Sequence, residues 1–146
     1  MKQQMSEMPN GRRTDDVDNA AFTRLSWICM NEQRDILFLE MPKRTVLFEP
    51  GGKRIPGLKD EVALARKIQR DLGIRLIPNT VEHRLSFMSQ AHGLPPDTMM
   101  KTRCFIAMYE GVLGPTERVT KLHWDCPLIR LTEAGKQFRQ CVYSLI

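Results

Sequence analysis

The densest chemistry in this sequence lies between residues 50 and 74, PGGKRIPGLKDEVALARKIQRDLGI, where two glycines precede a run of cations and one late acid. Lys67 and Arg70 are side chains that pair well with phosphate oxygens, Lys as a point charge and Arg as a planar fork. A second reading needs no ligand. Both cations fall in the last turn of a helix, where the helix dipole favours positive charge. Lys67 and Asp71 are four apart and can form a surface pair. Gly51 and Gly52 can equally serve the geometry of their own loop. The residues alone leave both readings open.

Other side chains carry weaker signals. His123 and Cys126 have a metal-like spacing, and His83 and His92 are also available, but no second pair has zinc spacing, so no metal centre is expected. Cys104 beside a histidine would suggest a nucleophile, yet it falls mid-strand and reads as core packing. His92 lies in Ala91-His92-Gly93-Leu94-Pro95-Pro96, a loop that either selects a ligand or merely connects two strands. Glu49, Glu82, Glu110 and Glu117 are examples of carboxylates outside the helix.

The elements that must position these groups follow from periodicity. After Gly57, Leu64, Ile68 and Leu72 recur at four-residue steps with Ala65 beside them, which predicts one amphipathic helix. Asp60 and Glu61 suit its N-terminus, and Gly73 provides the left-handed stop. Phe22–Met30 and Asp35–Met41 predict a strand pair joined by a polar turn. Thr45–Phe48, Val81–Met88, Arg103–Tyr109 and Val119–Trp124 predict further strands. Residues Ser89 to Lys101 read as a long loop, and Thr132–Leu145 as a C-terminal helix with Thr132 as N-cap. Residues 1–19 are polar, without an aromatic or β-branched cluster, and read as a disordered tail before a domain spanning 20–146. Strands before and after a central helix predict an α/β fold, with a mixed sheet covered by helices.

Bulk composition bounds the rest. With 146 residues, 42% apolar and 27% charged, the chain suits one hydrophobic core. No apolar run is long enough for a membrane span, and Lys2 has no apolar stretch behind it to form a secretory signal. Four widely spaced cysteines without a Cys-x-x-Cys pair predict reduced thiols and a cytoplasmic location. The net charge is +5, and the tail contributes −1 of it, so the folded part leans basic and favours anionic partners such as nucleotides, phosphates or RNA. RNA binding lacks a supporting motif or stacking stripe.

The segment 50–74 resembles the Nudix box: Gly, five residues, Glu, seven residues, then Arg-Glu-apolar-any-Glu-Glu-any-Gly-apolar. With the first glycine at Gly52, the residues Arg66, Ile68, Asp71, Gly73 and Ile74 align without a gap. Pro50-Gly51 and Lys53 are similar to the family's loop, and Leu122-His123-Trp124 to its late aromatic-ended strand. The resemblance implies a Nudix-like α/β/α sandwich related to the MutT-like hydrolases. It also implies carboxylates holding Mg²⁺ or Mn²⁺ against a diphosphate. Here Leu58, Lys67 and Arg70 stand at three of the glutamate positions, and Asp71 at the fourth.

A unit-charge pair at about 4 Å is worth roughly 4 kcal/mol at an effective dielectric near 20, and a divalent ion doubles it. Two repulsive positions therefore outweigh one aspartate. The resemblance then implies binding of a nucleoside-diphosphate-like ligand or a protein partner without metal-dependent hydrolysis. Gly51, Gly52, Lys53, Arg66, Lys67, Arg70, Asp71 and His92 are the ligand-binding candidates, with no metal or cofactor expected. The alternative is a hydrolase using Mg²⁺ or Mn²⁺ on displaced ligands. Relatives of this kind also make a homodimer an expectation.

Overall fold

The computed structural model describes residues 20–145; the expected N-terminal tail lies outside them. Among the described residues, nine strands and two α-helices follow in chain order. They are β1 (Phe22–Trp27), β2 (Leu37–Glu40), β3 (Leu47–Phe48), β4 (Gly51–Lys53), α1 (Asp60–Leu72), β5 (Arg75–Leu76), β6 (Glu82–Gln90), β7 (Met99–Ile106), β8 (Tyr109–Glu110), β9 (Lys121–Trp124) and α2 (Glu133–Tyr143). A four-stranded sheet runs β4-β1-β7-β6 and a three-stranded sheet β3-β2-β9. The larger sheet is mixed, because β1 lies parallel to β7 while β4 and β6 pair antiparallel.

The side-chain period of two in a strand divides this protein into two cores. Leu37 and Leu39 of β2 join Leu25, Trp27 and Phe105 on one side, under α1. Ile36 and Phe38 join Phe87, Met100 and Cys104 on the other, under α2. The result is an α/β/α sandwich. From α1 come Leu64, Ile68 and Leu72, each at most 2% exposed, and burial of this kind is worth about 1.5–3 kcal/mol per side chain. From α2 come Ala134, Phe138 and Val142. Its N-cap is Thr132 as expected, whose hydroxyl accepts from Gly135 N at 3.0 Å.

Several element boundaries depart from the sequence reading. The expected strand pair at 22–41 meets only at its turn end, through the Met30–Ile36 bridge and Leu37 N donating to Cys29 O at 2.9 Å. Beyond that point β1 and β2 enter different sheets, because each must serve both cores beside different neighbours. The loop expected from Ser89 to Lys101 is shorter. Pairing of β6 with β7 continues to Gln90 opposite Met99, which confines Gly93, Pro95 and Pro96 to residues 91–98. Residues 107–108 separate β7 from β8, so the strand expected to reach Tyr109 ends at Ile106.

The glycine loop is in part a strand. Gly51 lies opposite Ser26 and Gly52 opposite Leu25, which hides a regular pairing behind a sequence that reads as a turn. Gly51 has φ 149°, and a Cβ placed there would fall 1.9 Å from the Leu25 carbonyl oxygen. Only glycine permits that approach.

Candidate functional site

The site begins with the stripe that seats α1. Leu64, Ile68 and Leu72 are joined there by Asp71, which lies three residues after Ile68 and is only 3% exposed. The helix stops at Gly73, whose φ is 70° and whose N–H donates to Gln69 O at 2.9 Å. The hydroxyl of Thr116 donates to the Asp71 carbonyl at 2.5 Å, fastening the loop before β9 against the same turn.

Two cations converge on the buried Asp71 carboxylate. Lys67 Nζ is 3.4 Å from Oδ2 and Arg70 Nε 3.8 Å from Oδ1. The pair expected at the surface is thus half-sunk: Asp71 is sealed while Lys67 retains 29% exposure and Arg70 55%. Lys67 reaches Asp71 by lying along β4. A Cβ on Gly52 would come within 2.9 Å of Lys67 Cε, so the second glycine gives the lysine stem its space. Arg66, one turn before Arg70, is exposed. Leu58 packs against the α1 core.

A second charged group caps the other end of α1. Asp60 binds Arg54 through both oxygens at 3.0 Å and also accepts from Arg103. Burial pushes the Asp60 carboxyl up, but the hydrogen bonds from Arg54 and Arg103 outweigh it and hold the group below its ordinary value.

The remaining candidates are scattered. Lys53 points to the α2 side, where its ammonium lies 4.6 Å over the Phe22 ring. His92 meets Phe48 edge-on with centroids 5.9 Å apart. With Gln90, Gly93, Leu94 and Glu133 it lines a shallow cavity of about 150 Å³ beside the first turn of α2. Gly51, Gly52, Lys67, Arg70 and Asp71 therefore form one assembly, which Lys53 and His92 do not join.

His123 bonds Glu40 across strands at 2.9 Å, and Cys126 is exposed. Cys104 and Cys29 are buried core thiols; burial raises both, Cys29 to about 12. Sequence reasoning missed the partner of Glu49. That carboxylate is 2% exposed and sits 3.4 Å from Arg24 Nε, while Arg24 also donates to the Glu49 carbonyl at 2.7 Å. Twenty-five residues separate them, and nothing local couples the two.

This arrangement of two helices about a mixed sheet, with a glycine strand under the first helix, is the fold of the Nudix hydrolases. It superimposes on the E. coli ORF135 protein with a TM-score of 0.67 at 21% identity, covering 85% of this chain and 89% of that one. The MutT Nudix hydrolase of Burkholderia pseudomallei gives 0.64 at 20% identity over 80% and 93%. A Nudix hydrolase of Nitrosomonas europaea gives 0.65 at 12% identity over 84% and 88%. No protein-family model matches the sequence, and no curated protein matches it.

The divalent cation that such a box implies does not fit the residues present. Among the described residues no three His, Cys, Asp or Glu side chains gather where they could share an ion. Glu82 is paired with Arg84 and Glu110 with Arg75, Glu117 is exposed, and Glu49 is committed to Arg24. Asp71 already carries two cations, whereas a hard divalent ion needs several oxygen ligands and uncompensated negative charge.

Proposed function

We propose that this protein binds a nucleoside-diphosphate-like anion at the C-terminal half of α1 and does so without metal-dependent hydrolysis. The observation that carries the reading is the convergence of Lys67 and Arg70 on one buried aspartate. Two cations against one carboxylate leave a unit of positive charge at the turn, and Arg66 adds a second on the exposed side. Phosphate oxygens pair with such side chains directly, as point charge and as fork. Lys67, held along Gly52, supplies the charge that a divalent ion supplies in a carboxylate box. It costs no reorganisation, because Asp71 already fixes it.

The test is a thermal shift of the full chain with a panel of nucleoside diphosphates and their derivatives, in chelator, beside a phosphate-release assay with Mg²⁺ or Mn²⁺. The proposal expects stabilisation that survives chelator, is lost in Arg70→Ala, and comes without turnover. Chelator-sensitive turnover would replace it with a hydrolase whose ligands assemble elsewhere. A shift produced by RNA and suppressed by salt, but not by nucleotides, would replace it with the RNA reading.

A further inference from the structure

The two cores differ in a way the ligand reading does not use. Six buried side-chain atoms among the described residues have no hydrogen-bond partner, and five of them are Arg24 Nε, Ser26 Oγ, Glu49 Oε2, Ser89 Oγ and Thr102 Oγ1. Strand register puts all the strand members on one face. Arg24 lies opposite Thr102 and Ser26 opposite Cys104 across β1 and β7, while Phe87 faces Thr102 and Ser89 faces Met100 across β6 and β7. Phe87, Met100 and Cys104 all belong to the core under α2. Glu49 Oε2 lies against α2 itself, 3.2 Å from where a Cβ on Gly135 would stand. The face under α1 has one such atom, Asp71 Oδ1; Arg70 flanks that carboxylate as Arg24 flanks Glu49, which leaves the three hydroxyls of Ser26, Ser89 and Thr102 as the difference between the two faces.

Polar atoms sealed without partners gain hydrogen bonds from water as soon as the seal opens. The unpartnered atoms under α2 therefore lower the cost of lifting α2, whereas the face under α1 carries a single one. We infer that the seam between α2 and the four-stranded sheet opens as a sub-global unit, exposing Arg24, Ser26, Glu49, Ser89 and Thr102 while α1 stays docked. Such partial openings are cooperative and occur below the free energy of global unfolding. The opened surface adds a guanidinium, a carboxylate and three hydroxyls to the apolar side chains of that core, Phe87, Met100 and Phe138 among them. Water enters there, and the α1 site keeps its geometry throughout.

The chain contains its own reporters. Cys104 is 0% exposed in the α2 core and Cys29 is 5% exposed in the α1 core. Alkylation of the full chain with N-ethylmaleimide, resolved by peptide mass spectrometry and referenced to the denatured protein, reads each opening separately. Cys104 is expected to label at least about tenfold faster than Cys29, with a weaker dependence on low urea. Leu64→Ala, under α1, should accelerate Cys29 and leave Cys104 unchanged, because the opened state keeps Leu64 buried. Thr102→Val removes one orphaned hydroxyl at constant shape and should slow Cys104 about fivefold or more. Equal rates, equal urea dependence and parallel responses to both substitutions would mean that only global unfolding exposes Cys104, and would overturn the inference. Should Leu64→Ala fail to fold, the urea series and Thr102→Val decide it alone.

Discussion

Replacing Lys67 by methionine keeps the stem that lies along Gly52 and deletes only the ammonium. The Asp71 carboxylate then remains sealed with a single cation, Arg70, at 3.8 Å. Breaking a fully buried ion pair by removing one partner costs about 3–5 kcal/mol. The exposure here is uneven, 29% for Lys67 and 4% for Asp71, so water takes over part of the lost interaction. The expected loss is therefore smaller, about 1–3 kcal/mol, or a fall in midpoint of roughly 4–15 °C for a domain of this size. Urea unfolding followed by circular dichroism checks it, with an unchanged slope showing that only stability moved. Adding Asp71→Asn to Lys67→Met removes the uncompensated charge and should restore most of the loss. A single-mutant effect below about 0.5 kcal/mol, within the range of ordinary surface substitutions, would refute the claim that this pair seats the turn. So would a double variant no more stable than the single one.

Five further outcomes follow from the geometry. Gly51→Ala should cost more than about 3 kcal/mol or prevent folding, since its Cβ meets backbone at a positive φ. Gly52→Ala meets only a flexible lysine stem and should cost clearly less in the same urea assay. Lys67→Glu with Arg70→Glu should gain a Mn²⁺ site visible by titration calorimetry that the parent chain lacks at the same concentration. The folded Asp60 carboxyl is held below its ordinary value, so its contribution is present above that value and is lost as pH falls through the folded one. Asp60→Asn should accordingly flatten the acid limb of a stability-pH curve below about pH 4. Phe138→Ala, from the α2 core, should cost about 3–5 kcal/mol by the same measure.

Local periodicity made α1 legible almost to the residue, because its apolar stripe, first-turn acids and terminal glycine agree with one another. The same stripe contained the burial of Asp71, three residues after Ile68 and one before Leu72; reading only the apolar positions hid it. Thr132 announced α2 for a similar local reason. What escaped was non-local. No pattern within β1 or β2 tells a strand which sheet it joins, and the Arg24–Glu49 pair exists only once β4 has folded back on β1. The Pro-Gly-Gly segment read as a turn, since the pairing that makes it a strand depends on Leu25 and Ser26. His92 stands in the 91–98 turn beside α2, a turn shorter than its composition suggests because the β6–β7 pairing continues to Gln90 and Met99.

The alternation along β2 has a consequence for how this sequence can change. Successive residues Ile36, Leu37, Phe38 and Leu39 feed opposite cores, and all four are at most 2% exposed. A strand read this way has a frame. Inserting or deleting one residue before Ile36 would send every side chain to the wrong layer, placing phenylalanine where leucine fits and leucine where phenylalanine meets Phe138 edge-on. Substitutions that conserve volume can accumulate in β2 singly, but length changes there damage both layers together. Viable insertions and deletions should instead gather in the 91–98 turn, whose glycine and prolines are exposed.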